Sequence, residues 1–389
     1  MALNSLVVTG SSAYVSPSAH KIASTHSGRS MFASVRADGD RVRRTRWRVQ
    51  HRGPSLQPEG ADDRTSPGCA GRTAHGARPV AAEAPLSTCG LPTDPTLAHP
   101  AGMRFSINIP NFGDFADPRN VAAVAVAAEQ AGWDGLFVWD HVLHRQHQGR
   151  PFGDPWMLLT AAALATSRIR LGTLLTPVPR YRPQQLARQV ATLDHLSGGR
   201  VIFAAGLGGP VEDEYRSFGD TAEPRLLAER LDEGLELLRR WWSGESVDHH
   251  GRHYEVRDVT LLPATVQRPG PPVWIGGFWP RRPPMRRAAR WDGAVPLFET
   301  ARHGHVPEVA EVRDLVGYVR KHRTGESGRP FEVVLGGATS SDAVKAKDVI
   351  GPLRDAGATW WDERQVQTGP DLDRLSPVMR RIEAGPPVL

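Results

Sequence analysis

Arg104-Phe-Ser-Ile-Asn-Ile109 is followed by Asp117-Pro118, a run rich in alanine and valine, and then Ala131-Gly-Trp-Asp-Gly-Leu-Phe-Val-Trp139. The first run is short, apolar and β-branched in part, which predicts a strand at 104–109. Asp117 reads as a helix N-cap, because its side chain can accept from the exposed amides of the first turn, and Pro118 suits the first helical position. Gly132, just past Ala131, reads as the helix stop, and residues 135–139 read as a second strand. The stretch is one strand–helix–strand unit.

The same texture repeats to the end of the chain. Strands are expected at 169–176, 200–206, 272–276, 293–298, 331–337 and 358–361. Helices are expected after Asp154-Pro155, from Pro183 to the Ser197-Gly-Gly199 stop, and across 283–290, 307–322, 341–356 and 371–383. The clearest period is Leu227, Leu231, Leu235, Leu238 and Trp242, whose steps of three and four place one apolar stripe on a helix. An insertion between Ser243 and Pro271 alternates around 254–262 and reads as a hairpin.

Eight strand–helix units in the 287 residues from Met103 match an α/β (β/α)8 TIM barrel, which takes about 250 residues plus insertions. A doubly wound open sheet fits less well, since the first strand–helix turn holds only Gly113 and lacks the dinucleotide fingerprint. In a barrel the chemistry belongs at the C-terminal ends of the strands.

Residues 1–102 have a different composition. They are rich in Arg, Ser, Gly, Pro and Ala, lack a sustained period, and carry the like-charge block Arg41-Val-Arg-Arg-Thr-Arg-Trp-Arg48. Such a segment cannot pack a core and is expected to be a disordered tail, with 103–389 as the folded domain. The segment is expected to lie upstream of a true start at Met103. A transit peptide, suggested by the absence of Asp and Glu from the first 36 residues, and a nucleic-acid arm built on the Arg block are the alternatives.

The tail also accounts for the charge. Of the 48 Lys and Arg and 42 Asp and Glu, it holds 12 and 7, leaving 36 against 35 for the rest and a net +6 overall. A folded part so balanced offers no net field to a polyanion, so nucleic acid is not expected as a partner. Both cysteines, Cys69 and Cys89, lie in the tail, which excludes disulfides, Cys-ligated zinc and thiol nucleophiles from the folded part. No stretch reaches the roughly 20 apolar residues of a membrane span, and a cytoplasmic protein is expected. No motif encodes an oligomeric state; a homodimer is carried forward.

At the end of strand two stands Val138-Trp-Asp-His141. Asp140 and His141 there aim two protic groups at the barrel mouth, and histidine suits proton transfer near neutral pH. A capping Asp beside a solvent His is the alternative. His141, His144 and His147 lack a partner cluster at ligand spacing, so no metal is expected. Strand three runs into Leu171-Gly-Thr-Leu-Leu-Thr-Pro-Val-Pro-Arg-Tyr-Arg-Pro183, strand four is entered through Leu193-Asp-His-Leu-Ser-Gly-Gly-Arg-Val-Ile-Phe-Ala-Ala-Gly-Leu-Gly208, and strand five ends Pro272-Val-Trp-Ile-Gly-Gly277. Turn chemistry alone would explain many of these glycines.

Together with Ala128-Glu-Gln-Ala-Gly-Trp-Asp-Gly135 and the Asp-His pair, these blocks resemble the bacterial luciferase-like flavin and deazaflavin oxidoreductases, in order over strands one to five. The resemblance implies hydride transfer between coenzyme F420, a 5-deazaflavin, and a small molecule, with His141 as proton donor or acceptor and Asp140 as a cofactor contact. An FMN-dependent monooxygenase using oxygen is the alternative, and a non-catalytic flavin-binding barrel a further one. It also implies a bulge with a non-proline cis peptide at Thr173 and Leu174, backbone amides of Gly276 and Gly277 approaching a cofactor phosphate, and room for the ring left by Gly206 and Gly208. Arg180 and Arg182, beside Tyr181, would meet an anionic cofactor tail, and Phe112, Trp139 and Trp279 would wall the substrate pocket. In the sugar-phosphate dehydrogenases of the family an acid follows the strand-four glycines. Gly209 stands there instead, so that substrate is not assigned.

Overall fold

The computed structural model describes residues 102–144, 149–301, 305–324, 328–364 and 369–389. Apart from Gly102, the expected tail lies outside them, as does His147.

Strands β1 (Arg104–Ile109), β2 (Gly135–Val138), β3 (Arg170–Thr173), β4 (Thr176–Pro177) and β5 (Phe203–Gly206) are joined by helices α1 (Pro118–Gln130), α2 (Pro155–Ala165) and α3 (Pro183–Ser197). A short α4 (Val211–Glu214), the long α5 (Pro224–Ser243) and the hairpin β6 (Ser246–His250) and β7 (Glu255–Thr260) follow. The chain closes with β8 (Val273–Trp279), α6 (Arg282–Ala288), β9 (Gly293–Phe298), α7 (Val309–His322), β10 (Glu332–Gly337), α8 (Ala343–Asp355), β11 (Trp360–Arg364) and α9 (Leu375–Glu383). The sheet order is β3-β2-β1-β11-β10-β9-β8-β5-β4, every pairing parallel, with β6 and β7 apart as an antiparallel pair. β3 and β4 are one stave split at Leu174–Leu175, and a bridge between Leu171 and Val201 joins it to the β5 segment, so eight staves close a barrel.

The sequence expectations hold for order and number, and the helix signals act as read. Asp117 accepts from the Arg119 amide and Asp154 from the Met157 amide at 3.0 Å, while Gly198 ends α3 in the left-handed region with φ +67°. The α5 stripe is buried throughout, from Leu227 to Trp242. Because the Asp154 cap satisfies an otherwise orphaned amide at an exposed helix end, Asp154→Ala is expected to cost about 0.5–2 kcal/mol, read by urea unfolding. No measurable change would show the cap to be idle.

The largest differences from expectation at the C-terminal strand ends lie at the barrel mouth. The third strand is interrupted, and β8 and β11 each run three residues past their expected ends, to Trp279 and Arg364. Strand alternation then assigns the faces. On β8, Trp274 faces the barrel interior with Phe137 and Trp360, their ring centroids 5.3–6.2 Å apart, while Val273 and Ile275 face the helices. Those three rings fill the interior nearer the N-terminal strand ends. Toward the mouth the inward positions turn polar or small, with Asn108, Asp362, Gly206, Gly276 and Gly336.

Candidate active site

Beyond β2 the chain carries Trp139, Asp140 and His141 onto the mouth. The Asp140 carboxylate is buried, and both its oxygens are engaged: the Arg180 guanidinium donates to Oδ1, and the Tyr181 hydroxyl lies 3.0 and 2.9 Å from Oδ1 and Oδ2. The other arm of Arg180 donates to Glu214 Oε2. Glu214 Oε1 in turn lies 2.8 Å from His141 Nδ1, and the Glu214 side chain is only 1% exposed. Asp140, Arg180, Glu214 and His141 thus form a single buried chain of charge-assisted contacts. Burial pushes Asp140 up to about 6 although Arg180 and Tyr181 pull it down. The two carboxylates beside Arg180 outweigh its own burial and hold it firmly protonated.

This geometry defines what His141 can do. With Nδ1 engaged by a buried carboxylate, the ring is held in orientation, and a proton on Nδ1 is the tautomer that pairs with ionised Glu214. Among the described residues Nε2 meets no hydrogen-bond partner, and the side chain is 18% exposed. The ring packs edge-on against Trp139 at 5.8 Å and His144 at 5.1 Å. The arrangement is that of a base, one nitrogen oriented by an acid and the other open to the mouth. Among the described residues there is no group of three or more His, Cys, Asp or Glu side chains able to hold a metal.

Several expected roles move. Asp140 does not present a free carboxylate; it anchors Arg180. Arg180 is 15% exposed and engaged inward, so it cannot serve as a solvent-facing cation, whereas Arg182 is exposed. The non-proline cis peptide lies between Leu174 and Leu175, one residue beyond the Thr173–Leu174 pair, because β3 still pairs with β2 at Thr173. Thr173 reaches across the bulge to the Thr176 hydroxyl, and Leu174 is buried with the interior rings.

The glycines are explained by that bulge and by packing. A Cβ on Gly206 or Gly276 would come within 2.6 or 2.4 Å of Leu175 Cδ1, so both must be bare for Leu175 to lie across the mouth. Gly208 has φ +79° and faces Pro177, and a Cβ on Gly277 would meet Pro284 of α6 at 2.2 Å. Trp279 faces the helices, packed with Tyr318 and Arg282, and does not wall a pocket. Phe112 is fully buried and supports Trp139 at 6.0 Å. With glycine inward on β5 and β8, Leu175 gives a flat ring system an apolar seat, and the open His141 nitrogen supplies a partner for proton transfer. The residues therefore fit a flavin-like group.

Glu214 escaped the sequence reading. Its signal was the acidic run Glu212-Asp-Glu214 after the strand-four glycines, but nothing local shows that α4 turns the third acid toward His141.

The family model of luciferase-like monooxygenases matches residues 98–342. The chain belongs to the luciferase-like monooxygenase family. Within that family it is 36% identical over 159 residues to the F420-dependent glucose-6-phosphate dehydrogenase of Amycolatopsis mediterranei, covering 40% of this chain and 46% of the relative. The chain thus spans about half the length of the curated relatives it matches. Among solved structures, the monooxygenase RslO1 from Streptomyces bottropensis superposes with a TM-score of 0.56 at 23% identity, over 72% of this chain and 98% of that one. The coenzyme F420-dependent tetrahydromethanopterin reductase from Methanopyrus kandleri gives 0.55 at 18% identity, over 72% and 96%. Both show the barrel as this family builds it. No helix among the described residues is long and apolar enough to cross a membrane.

Proposed function

We propose that residues 103–389 form an oxidoreductase that moves hydride between coenzyme F420 and a small organic substrate, with His141 giving or taking the proton. The observation that carries this reading is the oriented imidazole: Nδ1 at 2.8 Å from buried Glu214, and Nε2 open to the mouth among the described residues. F420 is chosen over FMN because the matched relatives include F420-dependent glucose-6-phosphate dehydrogenases of several genera. When bound, the deazaflavin supplies a carbon that exchanges hydride and favours two-electron chemistry over oxygen activation.

The chain's own residues supply the rest. The Leu174–Leu175 bulge, with Thr173 closing it, would seat the ring on Leu175, which the bare backbone at Gly206 and Gly276 admits, and the amides of Gly276 and Gly277 would approach the cofactor phosphate. Asp140 acts through Arg180 to hold Glu214, and Glu214 holds His141. In the oxidising direction His141 Nε2 would accept a substrate hydroxyl proton, and in the reverse direction it would return it. Glucose 6-phosphate is not carried over as substrate, because Gly209 occupies the place of the acid in the sugar-phosphate enzymes. The enzyme is proposed to act in the cytoplasm, as a homodimer.

Fluorescence titration with each cofactor tests the choice. F420 is expected to bind more tightly than FMN, with an affinity that falls as salt rises because the tail's charges are screened. Arg182→Ala, which removes the exposed cation and leaves the buried network intact, is expected to weaken F420 by up to about fivefold and FMN less. Tighter FMN binding with oxygen-dependent turnover would overturn the reading in favour of a monooxygenase.

A further inference from the structure

Arg364 ends β11, the last stave, and its side chain lies inward at the mouth with 13% exposure. Its Nε donates to Asp362 Oδ2 at 2.7 Å. Asp362, fully buried two residues below, also accepts from Ser106 Oγ at 2.8 Å and from Asn108 Nδ2 at 2.9 Å, and Asn108 accepts from the Trp139 indole. The carboxylate is therefore satisfied by three donors from two neighbouring staves and cannot swing away. A Cβ on Gly336 would stand 2.5 Å from Arg364 Nε and 2.8 Å from Nη2, so the bare backbone of β10 is the bed on which the guanidinium lies.

Balancing Asp362 requires only Nε. The guanidinium carries four further hydrogens on Nη1 and Nη2, and among the described residues no acceptor meets them. A half-buried cation whose planar donor fork is held in place at the mouth is built to receive something. β11 and β2 flank β1, so Arg364 stands two strand spacings, about 10 Å, from the stave that delivers His141. Trp139 lies between them, against His141 on one side and bonded to Asn108 on the other. A small molecule lying over Trp139 would span both.

We propose that the Nη edge of Arg364 anchors a carboxylate of the substrate whose other end is worked on by His141. The proposal rests on the oxidoreductase reading only for what happens at His141; the anchor itself does not. The fork offers two parallel in-plane donors, which match the two oxygens of a carboxylate.

The test compares benzoate and benzamide, alike in shape and different in charge, by isothermal titration calorimetry on the full chain. Benzoate is expected to bind at least about tenfold more tightly. Arg364→Gln combined with Asp362→Asn, which leaves no unpaired buried charge, should bring the two probes within about twofold of each other. Gly336→Ala keeps the charge but displaces the guanidinium, and should have the same effect. F420 affinity, titrated by fluorescence, should be unchanged in both variants, and F420 binding by the parent protein reports separately on the redox reading. Equal affinity for the probes, no benzoate binding at tens of millimolar, a preference that survives loss of Arg364, or a loss of F420 affinity instead would each overturn the anchor.

Discussion

His141→Ala is expected to lower turnover by about 10²–10⁴-fold, the usual range for loss of a positioned acid or base. Nδ1 is held by Glu214 at 2.8 Å, so the ring is oriented before any substrate arrives, and Nε2 is the nitrogen left facing the mouth. Truncation also strips Glu214 Oε1 of a partner. Because Arg180 still bonds Oε2, the structural cost should stay within about 1–3 kcal/mol and the variant should fold. Steady-state kinetics beside a thermal melt separates the two effects. Turnover equal to the parent's, with the fold intact, would remove His141 from the reaction and return it to the role of an exposed histidine beside a capping acid.

Arg180→Met should be costly to the fold itself. The guanidinium bridges Asp140 and Glu214, both almost inaccessible to water, and removing one partner of such a pair costs about 3–5 kcal/mol because the remaining charge stays buried. The loss should depend on pH. Asp140 already stands near 6 in the folded protein, pushed up by burial against the pull of Arg180. Without Arg180 it rises further. A carboxyl whose folded-state pKa is raised above its unfolded value near 3.8 contributes its stability in full below that value and loses it as pH rises through the folded one. The deficit of the variant should therefore be small near pH 4–5 and grow through pH 6 and above, as read by urea unfolding at both ends. A deficit that is flat with pH, or larger in acid, would mean that Arg180 does not hold ionised carboxylates.

The two experiments probe one network from opposite ends. Arg180 supports Glu214, and Glu214 orients His141, so loss of Arg180 should also lower turnover in whatever fraction remains folded. The loop after β4 and the short α4 meet the β2 end because β2, the split stave β3–β4 and β5 stand side by side.

Residue order alone was enough for the barrel, its eight units, and the strand-two Asp140-His141 pair. Caps, glycine stops and a three-to-four residue stripe are decided by chain neighbours, and neighbours are what a sequence displays. The same locality explains the strand ends that were misplaced. Asp362-Glu-Arg364 looks like a charged loop after two tryptophans, yet Ser106 and Asn108, more than 250 positions away, satisfy Asp362 and let the strand continue. Glu214 reaches His141 across 73 positions. The glycines were visible from the start; that Gly206 and Gly276 are bare to admit Leu175, and Gly336 to bed Arg364, was not. Tertiary structure decided which side chains share the mouth, because closing a parallel sheet on itself sets side by side residues that nothing in their local sequence relates.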